Sequence, residues 1–219
     1  MRIPFNDLEE LRADPQAFRR RVEQGLGSAA RGGRYAIMQN ALLQWHKGGV
    51  ALGSLRADMI AKCEQRYRPG AELQEVIRAF DEYVMRHQAT GADTRLTRLR
   101  VQVPLPVGAD PRFTISGQVR RLDRHPDGTY TAWMFSNKRS DWACQLRLPL
   151  IQEATRASLN LEPDEIDVGV YCFADGADPR FSFDEAQVAA ALQELGQLLS
   201  ELVPLVANEK AVFQLSLGL

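Results

Sequence analysis

The sequence predicts a mixed α/β (α+β) fold, a sheet of parallel and antiparallel strands flanked by helices. Three observations predict it. Apolar residues recur at three- and four-residue spacing through residues 1–92. From Leu99 the period changes to two. A strand, a helix and a second strand then follow over residues 130–173, and a crossover of that kind joins parallel strands beside the preceding hairpin.

Each element has a local reason. Asn6 with Glu9 predicts a capping box ahead of Leu8 and Leu11. Asp14-Pro15 restarts a helix as N-cap and first position, with Phe18 and Val22 on its apolar side and Gly25 at its end. Tyr35, Met38, Leu42 and Trp45 mark another helix, stopped by Gly48-Gly49. Leu52, Leu55, Met59 and Cys63 mark the next, up to Pro69-Gly70; Leu73, Val76, Ile77, Phe80 and Val84 mark one ending near Gly91. Leu99–Leu105 and Phe113–Val119 alternate as two antiparallel strands across the VGADPR turn, and HPDG at 125–128 is a second turn. Tyr130–Lys138 is apolar on both faces through Phe135, as a central strand should be. A helix is expected from Trp142 to Leu159, with Pro149 kinking it or shifting its start. Ile166–Phe173 is a strand. Ser182 with Glu185 is expected to cap a last helix carrying Val188, Leu192, Leu195, Leu199 and Leu202, and 211–219 to add a short strand. The expected organisation is a helical region, 1–92, packed on a mixed-sheet core, 93–219, in one compact domain.

The chain of 219 residues is 45% hydrophobic and 25% charged, values that predict a buried core rather than disorder. A net charge of −1 makes no global electrostatic case for nucleic acid or membrane. Yet 23 of the 27 basic residues are arginine, clustered at Arg19–Arg21, Arg95–Arg98–Arg100 and Arg120–Arg121–Arg124. These are either solvated faces or a local phosphate-binding surface. Cys63, Cys144 and Cys172 form no CxxC pair, which points to reduced thiols and a cytoplasmic protein. No run approaches 18 apolar residues, so no membrane span is expected. His46, His87 and His125 are not spaced for metal and read as structural or surface residues.

The stretch FSNKRSDWACQL, residues 135–146, together with GQVRRLDR, residues 117–124, carries a resemblance. Over roughly residues 5–203 the order of elements resembles the RecB-type branch of the PD-(D/E)XK nuclease superfamily. The resemblance implies a restriction-endonuclease-like core with an N-terminal helical region. FNDLEELRADPQAF is similar to the family's opening segment, with Asp14 where many members have a cluster cysteine. The cysteine-rich C-terminal end is missing as well, so no iron–sulfur cluster is expected. AIMQNALLQ, residues 36–44, resembles the metal-assisting histidine helix, with Asn40 at the histidine. Gln102 is the nearest match to an acid of the first hairpin strand. In GQVRRLDR, Arg120 stands at the metal-binding aspartate. In FSNK, Ser136 replaces the second acid and Lys138 is kept. Gln145 and Leu146 match the helix motif, and Pro149 replaces its tyrosine.

The chemistry makes these losses count together. Phosphodiester hydrolysis of this kind uses Mg²⁺-class ions held largely by carboxylates. A fixed cation at Arg120 repels a dication; even two unit charges ~4 Å apart repel by about 4 kcal/mol at an effective dielectric near 20. The expectation is therefore a nuclease-like protein that has lost catalysis and binds nucleic acid or a protein, in DNA repair or processing, with no cofactor. Helicase–nuclease complexes contain inactive nuclease-like domains, so the resemblance permits such a role. The relic cleft would comprise Asn40, Arg120, Ser136, Lys138 and Gln145, and the nucleic-acid contacts Arg120, Arg121, Arg124, Lys138 and Arg139. Arg120 alternatively pairs with an acid such as Asp123. Two other readings stay open. One is an active Mg²⁺-dependent deoxyribonuclease with relocated carboxylates Asp123, Asp141 and Glu153. The other is a binding module unrelated to nucleic acid.

Overall fold

The computed structural model describes residues 1–24, 33–67, 70–105 and 109–207. Strand β1 (Arg2–Pro4) leads through a 3-10 turn into α1 (Leu8–Ala13) and α2 (Pro15–Glu23). Helices α3 (Arg34–Lys47), α4 (Leu52–Arg66) and α5 (Ala71–Thr90) follow. The chain then runs through β2 (Asp93–Gln102), β3 (Thr114–Arg124), β4 (Tyr130–Ser136), α6 (Arg147–Leu159), β5 (Ile166–Cys172), β6 (Arg180–Phe181) and α7 (Glu185–Ala207).

The sheet is mixed. Antiparallel β2 covers one edge of β3 along most of its length. The other edge of β3 is shared: β1 pairs in parallel at Thr114–Ser116, and β4 pairs antiparallel at Arg121–Arg124. Strand β5 lies parallel to β4, with α6 as the crossover, and short β6 closes the far edge. The segment before residue 92 is therefore not only helical, since β1 belongs to the sheet. Strands of three and two residues are too short to show a period, and β1 and β6 had no sequence signal.

Helices lie on both faces. On one face, residues of α1, α2, α6 and α7 bury Ala132, Met134, Val168 and Val170. On the other, α3, α4 and α5 enclose Trp133, Tyr171 and Phe173. Alternation along β4 and β5 divides their side chains between these two cores, which is why both strands read as apolar throughout.

Helix ends follow local chemistry, with two corrections. Asp14 caps α2 as expected, its carboxylate accepting from the Ala17 amide at 2.8 Å, and Gly91 ends α5 in the left-handed conformation. The Asn6–Glu9 box does not form. Asp7 precedes α1 without a side-chain cap, and Asn6 and Glu9 instead accept hydrogen bonds from the side chain and the backbone amide of Arg147. The guanidinium and the backbone amide of one distant residue outcompete the local amides. The last helix is capped by Asp184 with Gln187 rather than by Ser182 with Glu185, at 2.8 and 3.0 Å. Pro149 shifts the start of its helix: Trp142–Cys144 is a 3-10 turn and α6 begins at Arg147, placing Pro149 in the first turn where its missing N–H is harmless. The expected Gly25 stop, Pro69, part of the VGADPR turn and the strand at 211–219 fall outside the described residues.

Gly169 lies opposite Trp133 in register, and a β-carbon there would overlap the indole ring. Both backbones are buried in the sheet, so neither can yield. Gly169→Ala should destabilise the fold by about 1–3 kcal/mol through overpacking, measured as a lower denaturation midpoint at unchanged m-value.

Candidate functional site

The geometry starts from a break in the sheet. Val119 and Leu122 both pack into the first core although three positions separate them on β3. Regular alternation would put them on opposite faces. The change falls at Arg120, and across from it, between the Thr97–Arg121 and Leu99–Val119 pairs, Arg98 adopts a left-handed φ of 57°. Past the break, Arg121 and Asp123 turn toward α3 and α5.

Five side chains there close a ring of hydrogen bonds. Arg121 donates one nitrogen to the Tyr83 hydroxyl and another to Asp123 at 2.8 Å. The Tyr83 hydroxyl lies 2.8 Å from His46 Nε2. Thr94 Oγ1 lies 3.1 Å from His46 Nδ1 and donates to Asp123 at 2.8 Å. Because Arg121 only donates and ionised Asp123 only accepts, the directions are set. Tyr83 donates to Nε2, and the His46 proton sits on Nδ1 and goes to Thr94. The guanidinium also lies over Trp133 and Tyr83, 4.8 and 5.3 Å from the ring centroids. His87 packs edge-on to His46 at 4.5 Å. Burial, reinforced by the Arg121 charge, pushes His46 down to about 2 and His87 down to about 4, while burial raises the Tyr83 hydroxyl.

The sequence-predicted residues separate around this ring. Asn40, on α3, accepts from Arg98 at 2.7 Å, which brings it to the strand pair at Arg120. Arg120 donates to Gln118 at 3.1 Å, and burial together with Arg98 lowers its proton affinity. It does not pair with Asp123, because the break hands that acid to Arg121. Arg121 is 4% exposed and faces the core, which corrects its expected place on a nucleic-acid surface. Ser136 Oγ donates to the Lys138 carbonyl at 2.7 Å, folding back on its own loop, and the Lys138 side chain is exposed. Gln39 donates to Asn137 of that loop at 3.1 Å. Gln145 is turned away, donating to Ser140 at 2.8 Å and accepting from Arg147 at 2.7 Å. Arg139 pairs with Asp175, and Arg124 is exposed at the end of β3. Gln102 faces Ser116 in register.

The three candidate relocated acids lie in separate settings. Asp123 is 1% exposed and committed to Arg121 and Thr94. Asp141 is exposed in the loop before α6, and Glu153 pairs with Arg156 on α6 at 2.8 Å. No group of three or more histidine, cysteine or acidic side chains is arranged to hold a metal among the described residues. His46 and His87, distant in sequence, meet only because α3 and α5 pack side by side; no spacing signal could have found them. Cys63 and Cys172 are buried, Cys144 is exposed, and none is in a disulfide. No helix among the described residues is long and apolar enough to cross a membrane.

No family model matches the chain, and no curated protein matches it closely enough to be called a relative. A solved structure titled "Crystal structure of SSO0001" is similar over 85% of both chains at 12% identity, with a TM-score of 0.36, a likeness too low to carry an argument.

Two outcomes follow from the ring. The native state refuses protons that the unfolded chain accepts near pH 6.5, so stability is fully present above that pH and falls as pH drops toward 4. The expected loss is up to about 1.4 kcal/mol per pH unit for each histidine, read by chemical denaturation at a series of pH values; His46→Gln should flatten the slope. Asp123→Ala leaves Arg121 buried without its counter-charge and should cost about 3–5 kcal/mol, far more than Asp141→Ala in the same assay.

Proposed function

We propose that this chain is a nuclease-like protein of the RecB-type PD-(D/E)XK branch that no longer hydrolyses phosphodiesters and binds nucleic acid through phosphate contacts. The observation that supports this reading most is Arg120. The resemblance sets it at the position of a metal-binding aspartate, it is partly buried, and it donates to the neutral Gln118 rather than to an acid. Arg98 sits across the strand pair from it and is held by the neutral Asn40. Two guanidinium groups concentrated there disfavour a divalent cation and favour a phosphate.

The neighbouring changes point the same way. Ser136 spends its hydroxyl on its own loop, and Asn40 spends its carbonyl on Arg98. Neither is left oriented as a ligand for Mg²⁺, which prefers carboxylates and retained waters. Lys138 stays exposed where it can reach a phosphate. A role in DNA repair or processing would be that of a scaffold that holds a strand for another enzyme.

Incubation of the protein with linear duplex and single-stranded DNA in Mg²⁺ or Mn²⁺ should yield no products. Neither ion should raise the melting temperature, since an ion with real affinity for the native state stabilises it by mass action. Metal-dependent cleavage that survives repurification would overturn the loss of catalysis, and no binding to DNA at low salt would overturn the nucleic-acid role.

A further inference from the structure

Strands β1, β2 and β3 carry more than the Arg98–Arg120 pair. Ile3, Val101, Ile115 and Val119 point into the first core. Their neighbours in the alternation therefore project from the opposite face of the sheet: Arg2 on β1, Arg100 and Gln102 on β2, and Thr114, Ser116 and Gln118 on β3. Register sets Arg2 beside Thr114, Arg100 beside Gln118 and Gln102 beside Ser116, and the strip runs into Arg98 and Arg120 at the break.

The strip is knitted by neutral groups. Arg2 Nε donates to Ser116 Oγ at 2.6 Å. Gln118 accepts from Arg120 at 3.1 Å and donates to the Arg98 carbonyl at 3.4 Å. Among the described residues, none of the four arginines has a carboxylate partner. The acids of β2 and β3, Asp93 and Asp123, lie at the far end, beside Arg124 and Arg121. Helix α3, which supplies Asn40, contains no acidic residue. Arg98 and Arg100 are exposed, while Arg2 and Arg120 are half-buried.

This arrangement is unfavourable without an anion. Like charges facing each other on paired strands destabilise the pairing, and Arg98 and Arg120 face each other at the break. A bound phosphate relieves that repulsion. Guanidinium forks match phosphate oxygens in pairs, and glutamine side chains such as Gln102 and Gln118 are usual neutral partners of a sugar–phosphate backbone, while buried Ser116 orients Arg2. Adjacent strands lie about 4.8 Å apart and alternate residues about 6.7 Å apart, so the arginines form a patch rather than a single point. The strip has no aromatic side chain on which an unpaired base could stack, which single-strand binding exploits.

We infer that Arg2, Arg98, Arg100 and Arg120 form one strip that seats the phosphate backbone of duplex nucleic acid, without reading its bases. The inference rests on the nucleic-acid reading above, but it moves the surface away from Arg121, Arg124 and Arg139 and onto residues of β1 and β2.

Fluorescence anisotropy with a labelled duplex of roughly 20 bp tests it. If all four arginines contact phosphate, log K against log salt has a slope of about −3.6, about 0.9 for each contact. Arg98→Glu with Arg100→Glu should weaken binding at least tenfold at about 50 mM salt and flatten the slope by about 2. Arg180→Ala, on β6 at the far edge of the sheet, should leave both within twofold. If the first pair disturbs folding by circular dichroism, Arg2→Ala with Arg100→Ala serves, with the same direction of change. Unchanged affinity in the strip variants would overturn the strip and leave the nucleic-acid reading standing. Tighter binding to a single strand or to polyglutamate than to the duplex would overturn the occupant. No duplex binding at low salt would overturn both, whereas metal-dependent cleavage would overturn only the loss of catalysis.

Discussion

Arg121 and Asp123 stand two positions apart on one strand, 4% and 1% exposed, and form an ion pair 2.8 Å long. Removing both charges from water is costly, and Coulomb attraction alone seldom offsets it. Here the remaining hydrogen-bonding capacity is largely taken up: Tyr83 and Thr94 complete the polar contacts, and His46 links the two. The ring ties β2, β3, α3 and α5 together at one point. It cannot be satisfied by helices that slide along the sheet, so it selects one docking of the helical layer where apolar contacts alone would tolerate several.

That docking sets the chemistry at the edge of the layer. With His46 held in the ring, the preceding turns of α3 place Asn40 on Arg98 and Gln39 on Asn137. The sheet break at Arg98 and Arg120 is the other half of the same arrangement. It turns Asp123 inward, where the acid neutralises Arg121, and leaves Arg120 beside neutral partners. The break thus buries a carboxylate under the helical layer and leaves two guanidinium groups side by side. The ion-pair network depends as well on a register shift between Thr94 and Leu96, which leaves Thr94 opposite Asp123.

Much of the element list was legible because it depends on short-range chemistry. The Asp14-Pro15 start, the Gly48 and Gly91 stops, the apolar spacing of Leu73–Val84 and the two-sided burial of β4 each reflect interactions within a few residues. The failures share a cause too. Asn6 and Glu9 have the right types for a capping box, but Arg147, far along the chain, takes both. Ser182 and Glu185 lost to Asp184 and Gln187, an equally good pair two residues later. Asp123 could be named as a candidate relocated acid, but not where it would point. His46 and His87 gave no sign of meeting.

By itself the sequence determined the mixed α/β class and the order of its main elements, since composition and period act locally. Tertiary structure alone decided which arginines lie in the core and which face solvent. Arg120 and Arg121 are adjacent and chemically identical, and only the register of β3 against β2 and the packing of α5 send one toward the strip and the other into Asp123. Burial of a charge depends on what lies across the sheet from it, and pairings between distant segments carry no imprint in local periodicity.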